Sequence, residues 1–162
     1  MSLSRSAITS IRGFSLYQPA WDFLAAAAGH ASSAVEIKQP NQVITIYGGG
    51  GAELLVYIGH DGLMDFRLPN GPVAADQRHR KTIILACLSK KYFSRILEPT
   101  GALPLLWTTN LMAPEAYILS AALDGWMRHE SDEQIRVRAA GAYNKYQNCG
   151  LKSANNLFAT GW

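Results

Sequence analysis

The chain has 162 residues, 48% of them apolar and 17% charged, which suits a single folded domain with its own core and excludes a disordered chain. A formal net charge of +3, with basic residues scattered along the chain, argues against a nucleic-acid-binding face. No apolar run reaches the length of a membrane span, and the first residues lack the apolar core of a signal peptide, so no membrane is expected and the chain as written belongs in the cytoplasm, unless an upstream export signal is missing.

In chain order, Pro19 to Ala28 reads as a helix: proline suits its first turn, Asp22 its amino end, and Gly29 stops it. Val35-Glu36-Ile37 and Val43–Tyr47 read as strands. The run Gly48–Gly51 with Ala52–Leu55 also fits a phosphate-cradling loop and helix. No G-K-[ST] follows, however, so a bend or hairpin between extended segments is preferred. Leu54–Ile58 is apolar on both faces, as a central strand of a parallel sheet should be. Residues 66–81, with Pro69-Asn70-Gly71-Pro72, are polar and turn-rich. Within and beyond them, Arg78-His79-Arg80-Lys81 and Arg136/Arg138 read as solvated loop and helix faces.

Thr82–Ala86 reads as a second doubly buried strand and Leu103–Thr108 as a third. Pro114 opens a helix towards His129. Ser131 with Gln134 makes a capping box for the next, whose apolar face holds Ile135, Ala139, Ala142, Tyr143 and Tyr146. A last short helix is expected over Ser153–Ala159. Strands alternating with helices indicate an α/β layer fold with a mainly parallel sheet, and one domain over residues 1–162.

Ligands and catalytic groups in open parallel sheets gather beyond the carboxyl ends of the strands. His60 lies just past one doubly apolar strand, between Gly59 and Gly62, and Cys87 just past the next. If those strands are neighbours, imidazole and thiol share a rim, and a thiol needs such a partner to act as a nucleophile. The two cysteines, Cys87 and Cys149, make no disulfide scaffold, and no Cys/His spacing fits zinc, so neither metal nor cofactor is expected. No G-x-S-x-G elbow is present.

The segments L-L-V-Y-I-G-H-D-G (Leu54–Gly62) and I-I-L-A-C-L-S (Ile83–Ser89) resemble the paired motif of the caspase–haemoglobinase fold, which includes caspases, legumains, separases, clostripain and gingipains. Gly101–Leu111 is similar to the strand and threonine-rich turn of the clostripain and gingipain branch, and Tyr57–Phe66 with Leu105–Trp126 resembles a bacterial caspase-like subgroup. The resemblance covers roughly residues 43–128. It implies a three-layer sandwich and a cysteine endopeptidase acting on peptide or protein substrates. Cys87 would be the nucleophile and His60 the proton donor, and main-chain N–H groups of Cys87 and of Gly62 or Asp61 would hold the oxyanion. Asp61 or Asp65 could orient the imidazole, though both read first as solvated loop carboxylates.

The chain departs from the family pattern in three places. Asp61 stands where glycine usually follows the histidine, and the segment between His60 and Cys87 is short and loop-like. Residues 1–18 contain no counterpart of the usual first strand and helix, so the expected sheet lacks that strand or the chain is a piece of a longer protein. Asn110, Glu115 and Asp124 lie where family members select the residue before the cleaved bond, yet read more simply as caps or surface groups. The resemblance also implies pairing through a sheet edge, hence a homodimer. A second reading is a catalytically silent caspase-like module that binds a protein partner, with Trp126, Tyr143, Tyr146 and Trp162 as candidate surface.

Overall fold

Apolar β-branched runs become strands and segments of helical period become helices, and the computed structural model describes them over residues 17–68 and 70–162. Up to residue 16, the stretch read as irregular or truncated lies outside the described residues, as does Pro69 of the expected turn. In order, the elements are α1 (Tyr17–Ala27), β1 (Ser33–Gln39), β2 (Gln42–Gly48), β3 (Leu54–Ile58), β4 (Lys81–Leu85), α2 (Ser89–Leu97), β5 (Leu103–Thr108), α3 (Ala116–Met127), α4 (Asp132–Gln147), α5 (Leu151–Leu157) and β6 (Phe158–Ala159). The protein is mixed α/β. A mainly parallel four-stranded sheet has the order β3-β4-β5-β6, and β1-β2 form a separate antiparallel pair. Among the described residues, no helix is long and apolar enough to cross a membrane.

The sheet order corrects one expectation: β3 is an edge strand among the described residues, not a central one. Apolarity on both faces reports cover above and below a strand and says nothing of its lateral neighbours. The connection from β3 to β4 holds one 3-10 turn, Gly62–Met64, and no α-helix among its described residues. The sequence also concealed α2, whose Phe93 and Leu97, one turn apart, are both buried.

Cα packing divides the chain into two compact units. The first comprises residues 17–56, 62–82 and 95–103. Its helix α1 buries Ala20, Phe23, Leu24 and Ala27, the spacing of one helical face. Asp22 does not flank the helix start, because α1 begins at Tyr17; its carboxylate accepts from Gln18 Nε2 at 2.6 Å. The loop after α1 meets the glycine run closely, with Gly50 N–H donating to His30 O at 3.1 Å. A Cβ on Gly50 would lie 2.4 Å from the carbonyl carbon of Gly29 and from His30 O, so only glycine fits.

Arg80 secures this approach. It is 1% exposed, which corrects its reading as part of a solvated loop. Its Nε donates to Gly50 O at 2.7 Å, while Nη1 and Nη2 reach the two carboxylate oxygens of Asp76 at 2.9 and 2.6 Å. A buried guanidinium is tolerable only when its donors are filled, and here main chain and carboxylate fill them.

The second unit comprises residues 57–61, 83–94 and 104–162. Its buried residues include Leu105–Trp107 of β5, Ile118 and Ala122 of α3, Ile135, Ala139 and Tyr143 of α4, and Leu157 of α5, with α4 packed on both α3 and α5. The capping box of Ser131 and Gln134 is formed and starts α4 as expected. Tyr146 does not join the buried face; it is more than half exposed and stacks on Tyr117 with ring centroids 4.3 Å apart. Arg136, also read as solvated, is largely buried: it pairs with Glu133 at 2.7 Å and donates to Asn155 O at 2.7 Å, tying α4 to α5. Arg138 remains partly exposed in an ion pair with Glu130. The last helix ends early, at Leu157, because Phe158 and Ala159 turn extended and pair antiparallel with Thr108 and Trp107.

The Arg80 guanidinium, with a further N–H from Arg78, holds the Asp76 carboxyl at about 2, against an ordinary value of 3.8. A folded-state value below the unfolded one stabilises the fold above the unfolded value, and that contribution disappears as pH falls through the folded value. Asp76→Asn is therefore expected to lower the midpoint of thermal unfolding at neutral pH, by an amount that solvent screening of the partly exposed carboxylate keeps modest. The difference from the parent should shrink between about pH 4 and pH 2, where the parent carboxylate protonates. Equal midpoints at pH 7 would show that the pair contributes nothing.

Candidate functional site

β3 and β4 are neighbours in the sheet, and Gly59 N–H donates to Leu85 O at 3.1 Å at their carboxyl ends. His60 follows the first of these residues by one position and Cys87 follows the second by two, so both leave the sheet at the same end. Gly59 has φ of 142°, a conformation costly for other residues, and it turns the chain out of β3. His60 is exposed, and its main-chain carbonyl accepts the Tyr57 hydroxyl at 2.8 Å. The Tyr57 ring packs against Phe93 of α2 with centroids 5.3 Å apart, so one side chain links the His60 loop to the helix that follows Cys87.

Cys87 is free and half-buried in the turn between β4 and α2. Its sulfur accepts the Met112 N–H at 3.4 Å and faces Met112 O at 3.5 Å. The next residue, Leu88, has φ of 53°, an uncommon value for a residue with a branched side chain. Its carbonyl receives the N–H groups of Lys91 and Tyr92 in the first turn of α2, and its own N–H donates to Asn110 O at 3.0 Å.

Two buried hydroxyls fix this turn. Ser89 Oγ donates to Ile84 O at 2.9 Å and accepts the Thr108 N–H at 2.9 Å. Thr108 Oγ1 accepts the Ser89 N–H at 3.2 Å and donates to Ala86 O. The exits of β4 and β5 are thereby joined through side chains that satisfy main-chain groups where the ladder ends.

The remaining sequence candidates are distributed as follows. Asp61 is fully buried, which corrects its reading as a solvated carboxylate; the chain turns inward after His60, and Gly62 and Leu63 are buried as well. Asp65 is exposed, and its N–H donates to Gly62 O at 3.0 Å in the 3-10 turn. Gly62 and Asp65 belong to the first unit, whereas His60, Asp61 and Cys87 belong to the second. Asn110 Oδ1 accepts the Leu111 N–H, Glu115 occupies the cap position of α3 without a side-chain cap bond, and Asp124 pairs with Arg128 and Arg138. Among the described residues, no group of three or more His, Cys, Asp or Glu could hold a metal ion.

Sequence reasoning missed the supporting residues. Tyr57 read only as part of an apolar strand, although a tyrosine three positions before a loop histidine could have been noted. Ser89 and Thr108 carried only the signal of hydroxyls that close two apolar runs, Ile83–Leu88 and Leu103–Trp107. The Met112 main chain has no side-chain signature at all.

Ser89→Ala is expected to lower the free energy of unfolding by roughly 1–3 kcal/mol, because Thr108 N–H and Ile84 O lose a buried partner. Denaturant unfolding measures this directly, and an unchanged midpoint would show that the two hydroxyls do not fix the turn. No protein-family model, no curated protein and no solved structure matches this chain.

Proposed function

We propose that the chain is a cysteine endopeptidase-like hydrolase built on a trimmed caspase-type three-layer sandwich, with Cys87 as nucleophile and His60 as proton donor. The observation that carries this reading is positional: the two residues follow adjacent strands and leave the sheet at the same end. Positive φ at Leu88, held by hydrogen bonds on either side, supports it further, since backbone strain of this kind collects at working sites.

In this reading the Cys87 thiol passes its proton to His60 and the sulfur attacks the carbonyl carbon of a bound peptide. The main-chain N–H of Cys87 holds the oxygen as it gains negative charge, and such a donor contributes on the order of a hundredfold in rate; Asp61, fully buried, does not present its N–H to substrate. The C–N bond breaks as His60 gives its proton to the leaving amine. Water then hydrolyses the thioester, with His60 taking its proton, and the thiol is restored.

One observation favours the second reading, a silent caspase-like module that binds a protein partner. The Cys87 sulfur already has an N–H and a carbonyl of Met112 against it, and attack requires substrate to approach past them.

A peptidyl electrophile directed at thiols separates the two readings. In a Cys149→Ser background, which removes the exposed second thiol, the reagent should label folded protein at Cys87. His60→Ala should reduce the labelling rate at least tenfold, in line with the loss of a positioned acid–base group. The peptidase reading is wrong if folded Cys87 stays unlabelled while a general thiol reagent modifies it after denaturation.

A further inference from the structure

The β1–β2 hairpin lies within the first unit, apart from the four-stranded sheet, and its side chains are out of proportion to its burial. Every residue of β1 is exposed, and Val35, Ile37, Val43 and Tyr47 are 62%, 42%, 56% and 52% exposed. The pairing sets Val35 opposite Ile46 and Ile37 opposite Ile44, so four β-branched side chains share one face. A two-stranded hairpin is at best marginal in water, and a sheet with such a face usually has three or more strands. Of the two strands, β1 faces water along its whole length, whereas Thr45 and its neighbours in β2 are half-buried.

We propose that the β1 edge pairs antiparallel with β1 of a second copy, joining two hairpins into one four-stranded sheet. The register follows from charge. An edge-to-edge antiparallel pair has its twofold perpendicular to the sheet, so one residue of β1 meets its own copy. Setting Glu36 or Lys38 on the axis opposes like charges, which is destabilising across a strand pair. Setting Val35 there leaves Glu36 opposite Ala34. Setting Ile37 there places Glu36 opposite Lys38 on both sides of the axis and Val35 opposite Gln39. That register alone sets opposite charges against each other. It also brings Val35, Ile37, Ile44 and Ile46 from both copies onto one continuous face. Pro40, just beyond β1, lacks the N–H to extend the ladder, so the pairing is short and the interface falls at the small end of specific ones. A dimer with Kd on the order of micromolar is the expected strength.

The inference does not rest on the peptidase reading. Sedimentation of the full chain under reducing conditions, from low to several hundred micromolar, should show a monomer–dimer equilibrium. Glu36→Lys and Lys38→Glu should each weaken it about tenfold by opposing like charges twice. The double exchange should restore it, because the charges again match. Equal thermal midpoints across the series guard against a folding defect. As a second measure, Ile37→Cys should form an inter-chain disulfide on oxidation faster than Val35→Cys, whose partner across the axis is Gln39. A monomer at every concentration overturns the proposal and leaves the edge to a strand of another protein. A dimer indifferent to both single exchanges, or weakened by them and not restored by the double, overturns it equally, since association then occurs elsewhere or in another register.

Discussion

The exits of β4 and β5 are held together by two hydroxyl groups, and the position of Cys87 depends on them. Where a strand gives way to a turn and then a helix, main-chain donors and acceptors lose their ladder partners in a region with little access to water. Ser89 and Thr108 answer this reciprocally, each accepting the other's N–H and each donating to a carbonyl of the β4 exit, Ile84 and Ala86. With both ends fixed, the intervening turn has little freedom. Leu88 takes a positive φ, and Cys87 stands half-buried on the rim against the Met112 main chain. Under the proposed function, such fixing would hold the sulfur in line with a bound carbonyl, where a displacement of about an ångström costs much of the rate.

The first unit solves a similar problem with a charge. Arg80 carries its guanidinium into the interior and fills it with Gly50 O and the Asp76 carboxylate, holding the glycine run against the loop after α1. Burying the cation is costly, and the carboxylate and main-chain oxygens that fill its donors offset that cost while tying distant segments together. The hairpin that precedes this clasp is anchored at its base, where Gly50 meets His30, while the residues of β1 are left in water. A strand pair rooted at one end, with its outer strand in water, is the form expected of an element that completes its sheet with another chain.

Legibility in the sequence followed the range of the interactions. Strands β3, β4 and β5 were readable because β-branched and apolar runs report burial directly, and the Ser131–Gln134 cap because its partners are three residues apart. That His60 and Cys87 leave the sheet at the same end was readable because strand ends place residues without any knowledge of contacts. The edge position of β3 was not readable, since lateral neighbours leave no mark on composition. Arg80, Arg136 and Asp61 were read as solvated because a charged residue carries no sign of partners supplied by distant main chain; Gly50 lies thirty positions from Arg80. Helix α2 escaped notice because Lys90 and Lys91 and two serines mask its short apolar face, and β6 because two residues are too few for a pattern.

A crystal structure of the protein treated with a peptidyl aldehyde should show a hemithioacetal on the Cys87 sulfur, its oxygen directed at the main-chain N–H of Cys87, and the His60 ring within hydrogen-bond reach of the adduct, about 2.6–3.2 Å or slightly longer. An unmodified Cys87 still in contact with the Met112 main chain, with the His60 ring turned away, would contradict the proposed dyad.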